Sequence, residues 1–107
     1  MARSTDEVTQ IVRQALQALS QELRISAAIL FGSYVEGNPH EGSDIDLAVF
    51  TPDKTRLKMN EKARLQLQLQ RQCATDLELH LFPDQALAEA RPSNFYGYLL
   101  AHGRRLL

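Results

Sequence analysis

Two aspartates separated by one residue, Asp44-Ile45-Asp46, follow a Gly32-Ser33 pair with residues 34–43 between them. On a β-strand, residues two apart project to the same side about 6.5–7 Å from each other, so Asp44 and Asp46 would share a face while Ile45, Leu47 and Val49 take the other. Like charges held side by side repel unless a cation lies between them. Magnesium is the natural choice. Hard divalent cations take carboxylate oxygens together with substrate phosphates, and a pair of them about 3.5–4 Å apart can clamp the attacking and leaving oxygens of phosphoryl transfer. Upstream, Gly32-Ser33 ends an apolar run and precedes a helix-prone turn. A glycine there lets backbone approach a phosphate closely, and the amides of a helix start, with the Ser33 hydroxyl, can donate to its oxygens.

A second group of acids lies in Asp76-Leu-Glu78-Leu-His80-Leu-Phe82, which alternates polar and apolar. Asp76, Glu78 and His80 would share one strand face. If that strand pairs with residues 44–50, it brings a further carboxylate beside the first two, able to serve as ligand or as base for an attacking hydroxyl. Spacing alone leaves Asp76 and Glu78 both open. His80 could be a ligand or proton carrier, but a half-exposed strand histidine without a role is the commoner case, and the site is read without it. Gly-Ser alone occurs in any turn and Asp-x-Asp alone is usually solvated; it is their spacing between two strands that is specific. Cys73 reads as core, having no nearby base or second thiol to activate it. His40 lies in the loop and would at most border the nucleotide, and His102 suits the end of a helix. Tyr34 would either stack on a base or pack on the sheet.

These residues need elements to hold them. Ser4 and Glu7 form a capping-box pattern, and apolar residues at helical spacing follow, predicting a helix over 5–22. Ile25 to Phe31 reads as a buried strand; Tyr34 to Ser43 is rich in breakers (Gly37, Asn38, Pro39, Gly42) and allows one helical turn, then loop. Asp44 to Phe50 reads as a second strand. Lys54 to Cys73 reads as a helix, because Leu65-Gln-Leu67-Gln-Leu69-Gln has strand period but strong helix formers and no β-branching. Asp76 to Phe82 is a third strand with one wet face, ended by Pro83. Asp84 to Ala90 suggests a short helix, Ser93 or Asn94 caps another through His102, and residues 104–107 suit an edge strand. The expected fold is α/β (α+β): a small mixed β-sheet of about four strands with helices packed mainly on one face.

The chain has 107 residues, suited to a single domain over 1–107. Its 44% hydrophobic and 23% charged residues are ordinary for a globular protein. Twelve Lys and Arg against thirteen Asp and Glu give a net charge of -1, which argues against extended nucleic acid as partner. The lone Cys73, the polar stretch Met1 to Gln10 and the lack of an apolar run near the roughly 20 residues of a membrane span point to a cytoplasmic protein and no membrane partner. A symmetric dimer is the default assembly.

The Gly-Ser turn, residues 34–43 and Asp-Ile-Asp leading into an apolar strand resemble the signature of the polymerase-β-like nucleotidyltransferase superfamily. The size and element order, with an aromatic helix start at Phe95 and Gly103 before a short apolar end, are similar to its minimal nucleotidyltransferase domains of antitoxin type, so nearly the whole chain is covered. The resemblance implies metal-dependent transfer of a nucleoside monophosphate, AMP from ATP, to an acceptor hydroxyl. It implies Asp44 and Asp46 as catalytic metal ligands, Glu78 as the third carboxylate where relatives often carry aspartate, and Gly32, Ser33 and Ser43 as nucleotide-binding residues. One or two Mg2+ ions would be used, with Mn2+ as substitute. It further implies a helical HEPN-type toxin as partner and acceptor, typically on a tyrosine. Glu36 stands where such domains often have a basic residue, and Gly42 where they often have an acidic one. Two other classes stay open: a binding module that neutralises its partner by contact alone, and the nucleotide-transfer subunit of an enzyme modifying a small molecule such as an aminoglycoside.

Overall fold

A computed structural model describes every residue except Met1, Asn38 and Glu41. Helix α1 spans Thr5–Leu19, strand β1 Ala27–Phe31, the short helix α2 Ser33–Glu36, strand β2 Ile45–Thr51, helix α3 Met59–Gln72, strand β3 Leu77–Pro83, helix α4 Phe95–His102 and strand β4 Arg104–Arg105. The strands form one mixed sheet in the order β3-β2-β1-β4. β2 runs antiparallel to β1 and parallel to β3. A parallel neighbour needs a crossover, which α3 supplies.

Period-two alternation in β2 divides the core. Ile45, Leu47 and Val49 face Val8, Val12, Ala15 and Leu19 of α1 and Leu65 and Leu69 of α3. Ala48 and Phe50 face the other way, with Ala27, Ile29, Ala86 and Leu99. There the Phe50, Phe82 and Tyr96 rings meet at centroid separations of 5.3, 5.6 and 6.2 Å. The two long helices thus cover one face; α4 and a 3-10 turn over Asp84–Leu87 cover part of the other. The rest of that second face stays open at the start of β3, which makes a site there accessible.

Several expected boundaries shift, each for a local reason. The Ser4–Glu7 capping box is present, but α1 ends at Leu19, not at 22. The Ser20 hydroxyl donates to the Gln17 carbonyl at 2.8 Å, and Leu23 folds back into the core. The expected helix over 54–73 is divided: Lys54–Arg56 make a 3-10 turn, and Leu57 and Lys58 are extended. That extended step buries Leu57. α3 then starts at Met59, behind a Lys58 N–H donated to the Glu61 carboxylate at 3.3 Å. Within α3 the strand-like period is overruled, since Leu65 and Leu69 are buried while Leu67 is 51% exposed. The short helix expected over 84–90 is only the 3-10 turn. β1 starts at Ala27, two residues after Ile25, although the Ser26 N–H already donates to the Phe50 carbonyl at 2.7 Å. β2 begins at Ile45 and β3 at Leu77, each one residue later than expected. β4 has two residues, but its hydrogen bonds continue: the Leu106 N–H donates to the Ala28 carbonyl at 2.8 Å. The loop before Ser43 follows the breaker pattern, with Asn38 outside the described residues. Among the described residues no helix is long and apolar enough to cross a membrane.

Candidate metal and nucleotide site

Strand register builds the site. Phe31 at the end of β1 pairs with Asp46 in β2, and Asp46 pairs with Glu78 in β3, so the three stand in one row across the sheet. Neighbouring strands lie about 4.8 Å apart. The two carboxylates are therefore set side by side by backbone pairing, before any side chain chooses a rotamer. His80, two residues after Glu78, projects to the same face and turns back: its Nε2 lies 3.2 Å from Asp46 Oδ1 and 4.0 Å from Glu78 Oε1. Asp46, Glu78 and His80 each offer one ligand atom within 4.8 Å of the others. The Phe31 ring packs against the imidazole with centroids 5.1 Å apart.

Gly32 forms the floor. Its φ of +86° and ψ of -159° lie in a region that is essentially reserved for glycine. A Cβ there would stand 2.6 Å from Asp46 Oδ2. The missing side chain thus leaves Asp46 uncovered beside the start of α2. The Gly32 carbonyl accepts from Val35 and Glu36 N–H groups, both at 3.0 Å. The Ser33 and Tyr34 amides come earlier in that turn and have no intrahelical acceptor, as at any helix start.

The other residues singled out from sequence fall in distinct places. Asp44 is exposed, one residue ahead of β2, and its carboxylate is not among the three groups that converge. It lines a cleft of ≈ 560 Å³ together with Glu78, Asp76 and Lys62. Asp76, the competitor for third carboxylate, is held by Arg3 through Nε at 3.0 Å and Nη2 at 3.1 Å. That hydrogen bond raises the Arg3 pKa. Ser43 is buried, and its hydroxyl accepts the His40 N–H at 2.9 Å, closing the turn that leads into β2. Tyr34 packs against the larger core, with its hydroxyl accepting from the Arg3 backbone N–H at 3.2 Å. The Glu36 carboxylate accepts the Tyr98 hydroxyl, a bond that raises the Tyr98 pKa. Burial raises the Cys73 pKa, in keeping with a packing role.

His80 is the residue that sequence reasoning left out and the geometry brings in. The signal was its spacing: period two from Glu78 puts it on the same face as the acids. What could not be read was the neighbour across the strand pair. His80 stands opposite Ala48, whose methyl group does not push the ring away from Asp46.

The sequence matches the family described as "Polymerase beta, Nucleotidyltransferase" over residues 13–91. No curated protein matches the chain. Among solved structures, a protein assigned as a nucleotidyltransferase from Sulfolobus solfataricus is similar over 83% of this chain and 84% of its own, with TM-score 0.54 and 11% identity. A mutant of the toxin-antitoxin pair MntA-HpeT, with two aspartates changed to glutamate, is similar over 98% of this chain and 73% of its own, with TM-score 0.58 and 19% identity. At such identities the likeness speaks for the fold. The family match spans most of the chain, including Gly32, the Asp44-Ile-Asp46 segment and Glu78, and on that ground the chain belongs to the polymerase β nucleotidyltransferase family.

Proposed function

We propose that this domain is a metal-dependent nucleotidyltransferase that moves AMP from ATP onto a hydroxyl of a protein partner. The observation that carries this reading is the Asp46–Glu78 pair, fixed by strand register beside a glycine whose missing Cβ leaves one carboxylate open. Two carboxylates on an accessible face fit a hard divalent cation, Mg2+ or Mn2+, which takes oxygens from both protein and phosphates. Asp46 and Glu78 would hold it, and Asp44 would join them by rotation of its exposed side chain at the mouth of the same strand. When bound, such an ion neutralises charge developing on the transferred phosphate.

The chain's own groups do the rest. Gly32 admits the triphosphate close to Asp46, while the Ser33 and Tyr34 amides and the Ser33 hydroxyl donate to its oxygens. Ser43 holds the turn that leads into β2, from which Asp44 would reach the site. Glu78, 51% exposed on its side chain, is open to an incoming acceptor and takes the proton of its hydroxyl at a carboxylate oxygen. The acceptor oxygen forms the bond to the α-phosphorus, the bond from that phosphorus to the bridging oxygen of the β-phosphate breaks, and pyrophosphate leaves.

The MntA-HpeT neighbour and the resemblance of this sequence to antitoxin-type domains support a helical HEPN-type toxin as the acceptor, with modification neutralising it. The test is incubation with α-labelled ATP, Mg2+ and the helical protein that co-purifies, using native protein and Asp46→Asn. Label on the partner with native protein only is the expected result. Label on an added aminoglycoside instead would move the acceptor to small molecules. An Asp46→Asn protein that neutralises its partner as well as native protein, with no label in either, would overturn the enzymatic reading in favour of contact alone.

A further inference from the structure

We infer that His80 is a nitrogen ligand of the cation held by Asp46 and Glu78, which makes this a mixed oxygen and nitrogen centre with a bias toward Mn2+ and other first-row transition ions. The inference rests on the reading of the two carboxylates as a metal site. Its own ground is separate: the imidazole Nε2 is the atom that turns into the cluster, at 3.2 Å from Asp46 Oδ1, and all three ligand atoms lie within 4.8 Å.

Three features of the sequence place the ring there. Period two on β3 puts His80 on the face of Glu78. Its partner across the strand pair is Ala48, which offers only a methyl group, so the ring is free to lean along the sheet toward Asp46. Phe31 then packs against the imidazole and limits its rotation, with ring centroids 5.1 Å apart. An all-carboxylate centre suits Mg2+, whereas imidazole raises affinity for transition ions, which accept nitrogen readily. A histidine that only oriented Asp46 by a hydrogen bond would support every divalent cation alike. Selectivity and direct metal–nitrogen coupling are therefore the properties that separate a ligand from a positioning residue.

The experiment uses Mn2+ alone, without nucleotide. The native protein, His80→Gln and Glu78→Gln are titrated with Mn2+ by electron paramagnetic resonance, with Mg2+ affinity taken from competition. The bound Mn2+ is then examined by electron spin echo envelope modulation. Native protein is expected to show modulation from a directly coordinated imidazole nitrogen. His80→Gln should lose it and weaken Mn2+ binding by about tenfold or more, leaving Mg2+ nearly unchanged. Native protein that binds Mn2+ without nitrogen modulation would overturn the inference; if Glu78→Gln still weakened binding, the carboxylate site would stand. Native protein that binds no Mn2+ would overturn both. A native spectrum without nitrogen modulation overturns the inference whatever the variants do, and a His80→Gln protein that keeps the modulation would overturn the assignment to His80.

Discussion

Gly32 is the position where one added carbon does most harm. Alanine there would need a backbone conformation that residues with a Cβ rarely adopt, and the methyl would stand 2.6 Å from Asp46 Oδ2. Gly32→Ala is expected to lower stability by about 1–3 kcal/mol in a urea titration, and to reduce nucleotide binding beyond what that loss explains, because Asp46 must move. Glu78 and Asp76 separate in the opposite sense. Asp76→Asn removes a half-exposed ion pair with Arg3 and should cost at most about 1 kcal/mol, with AMP transfer kept. Glu78→Gln should leave the melt unchanged and lower the transfer rate by about 100-fold or more. Equal effects of the two on transfer would contradict the assignment. From spacing alone these carboxylates were equivalent, both on the polar side of one alternating strand, and only the family resemblance favoured Glu78. The difference lies in Arg3, distant in the chain, and in a register that sets Glu78 and not Asp76 beside Asp46.

At the scale of elements, local patterns carried most of the reading. The capping box at Ser4 and Glu7, the apolar run into Gly32 and the Asn94 cap, whose side chain accepts the Gly97 N–H at 2.9 Å, all describe single segments and are visible within a few residues. Boundaries moved where a distant contact outweighed propensity, as where Leu57 left the helix expected over 54–73 to be buried. α4 shows such a contact at its tightest. A Cβ at Gly97 would stand 1.7 Å from the Arg91 carbonyl oxygen, so the helix lies directly on the backbone that precedes it. Gly97→Ala should displace α4 and loosen the packing of its Tyr96 ring against Phe82 of β3, lowering stability by about 1–3 kcal/mol. Hydrogen exchange would check this, with faster exchange expected in α4 and β3 and little change in α1. Uniform exchange across the molecule would argue against a local effect.

For the whole molecule, the strand order was the part least open to sequence reasoning. Alternation shows which face a strand buries but not which strand lies beside it; the site required β3 to pair with β2, and only the parallel register established that. Long-range ties also set the pH response. The Asp53 carboxylate, 6% exposed, accepts the Arg24 backbone N–H and a guanidinium N–H, each at 2.9 Å, joining the end of β2 to the segment before β1. The Arg24 bonds hold the Asp53 pKa well below the usual carboxylate range. A pKa lowered on folding stabilises the native state above the unfolded value of about 3.9, and that contribution is lost as pH falls below it. Between pH 6 and 3 the urea midpoint of native protein should therefore fall more steeply than that of Asp53→Asn. Parallel curves would remove Asp53 from the account. The central claim, that Asp46 and Glu78 together hold a divalent cation and with it the nucleotide, is tested most directly by calorimetric titration of a non-hydrolysable ATP analogue with and without Mg2+. Native protein should bind the analogue only when Mg2+ is present, and Asp46→Asn and Glu78→Gln should each abolish that dependence; metal-independent binding by native protein, or undiminished binding by both variants, would contradict it.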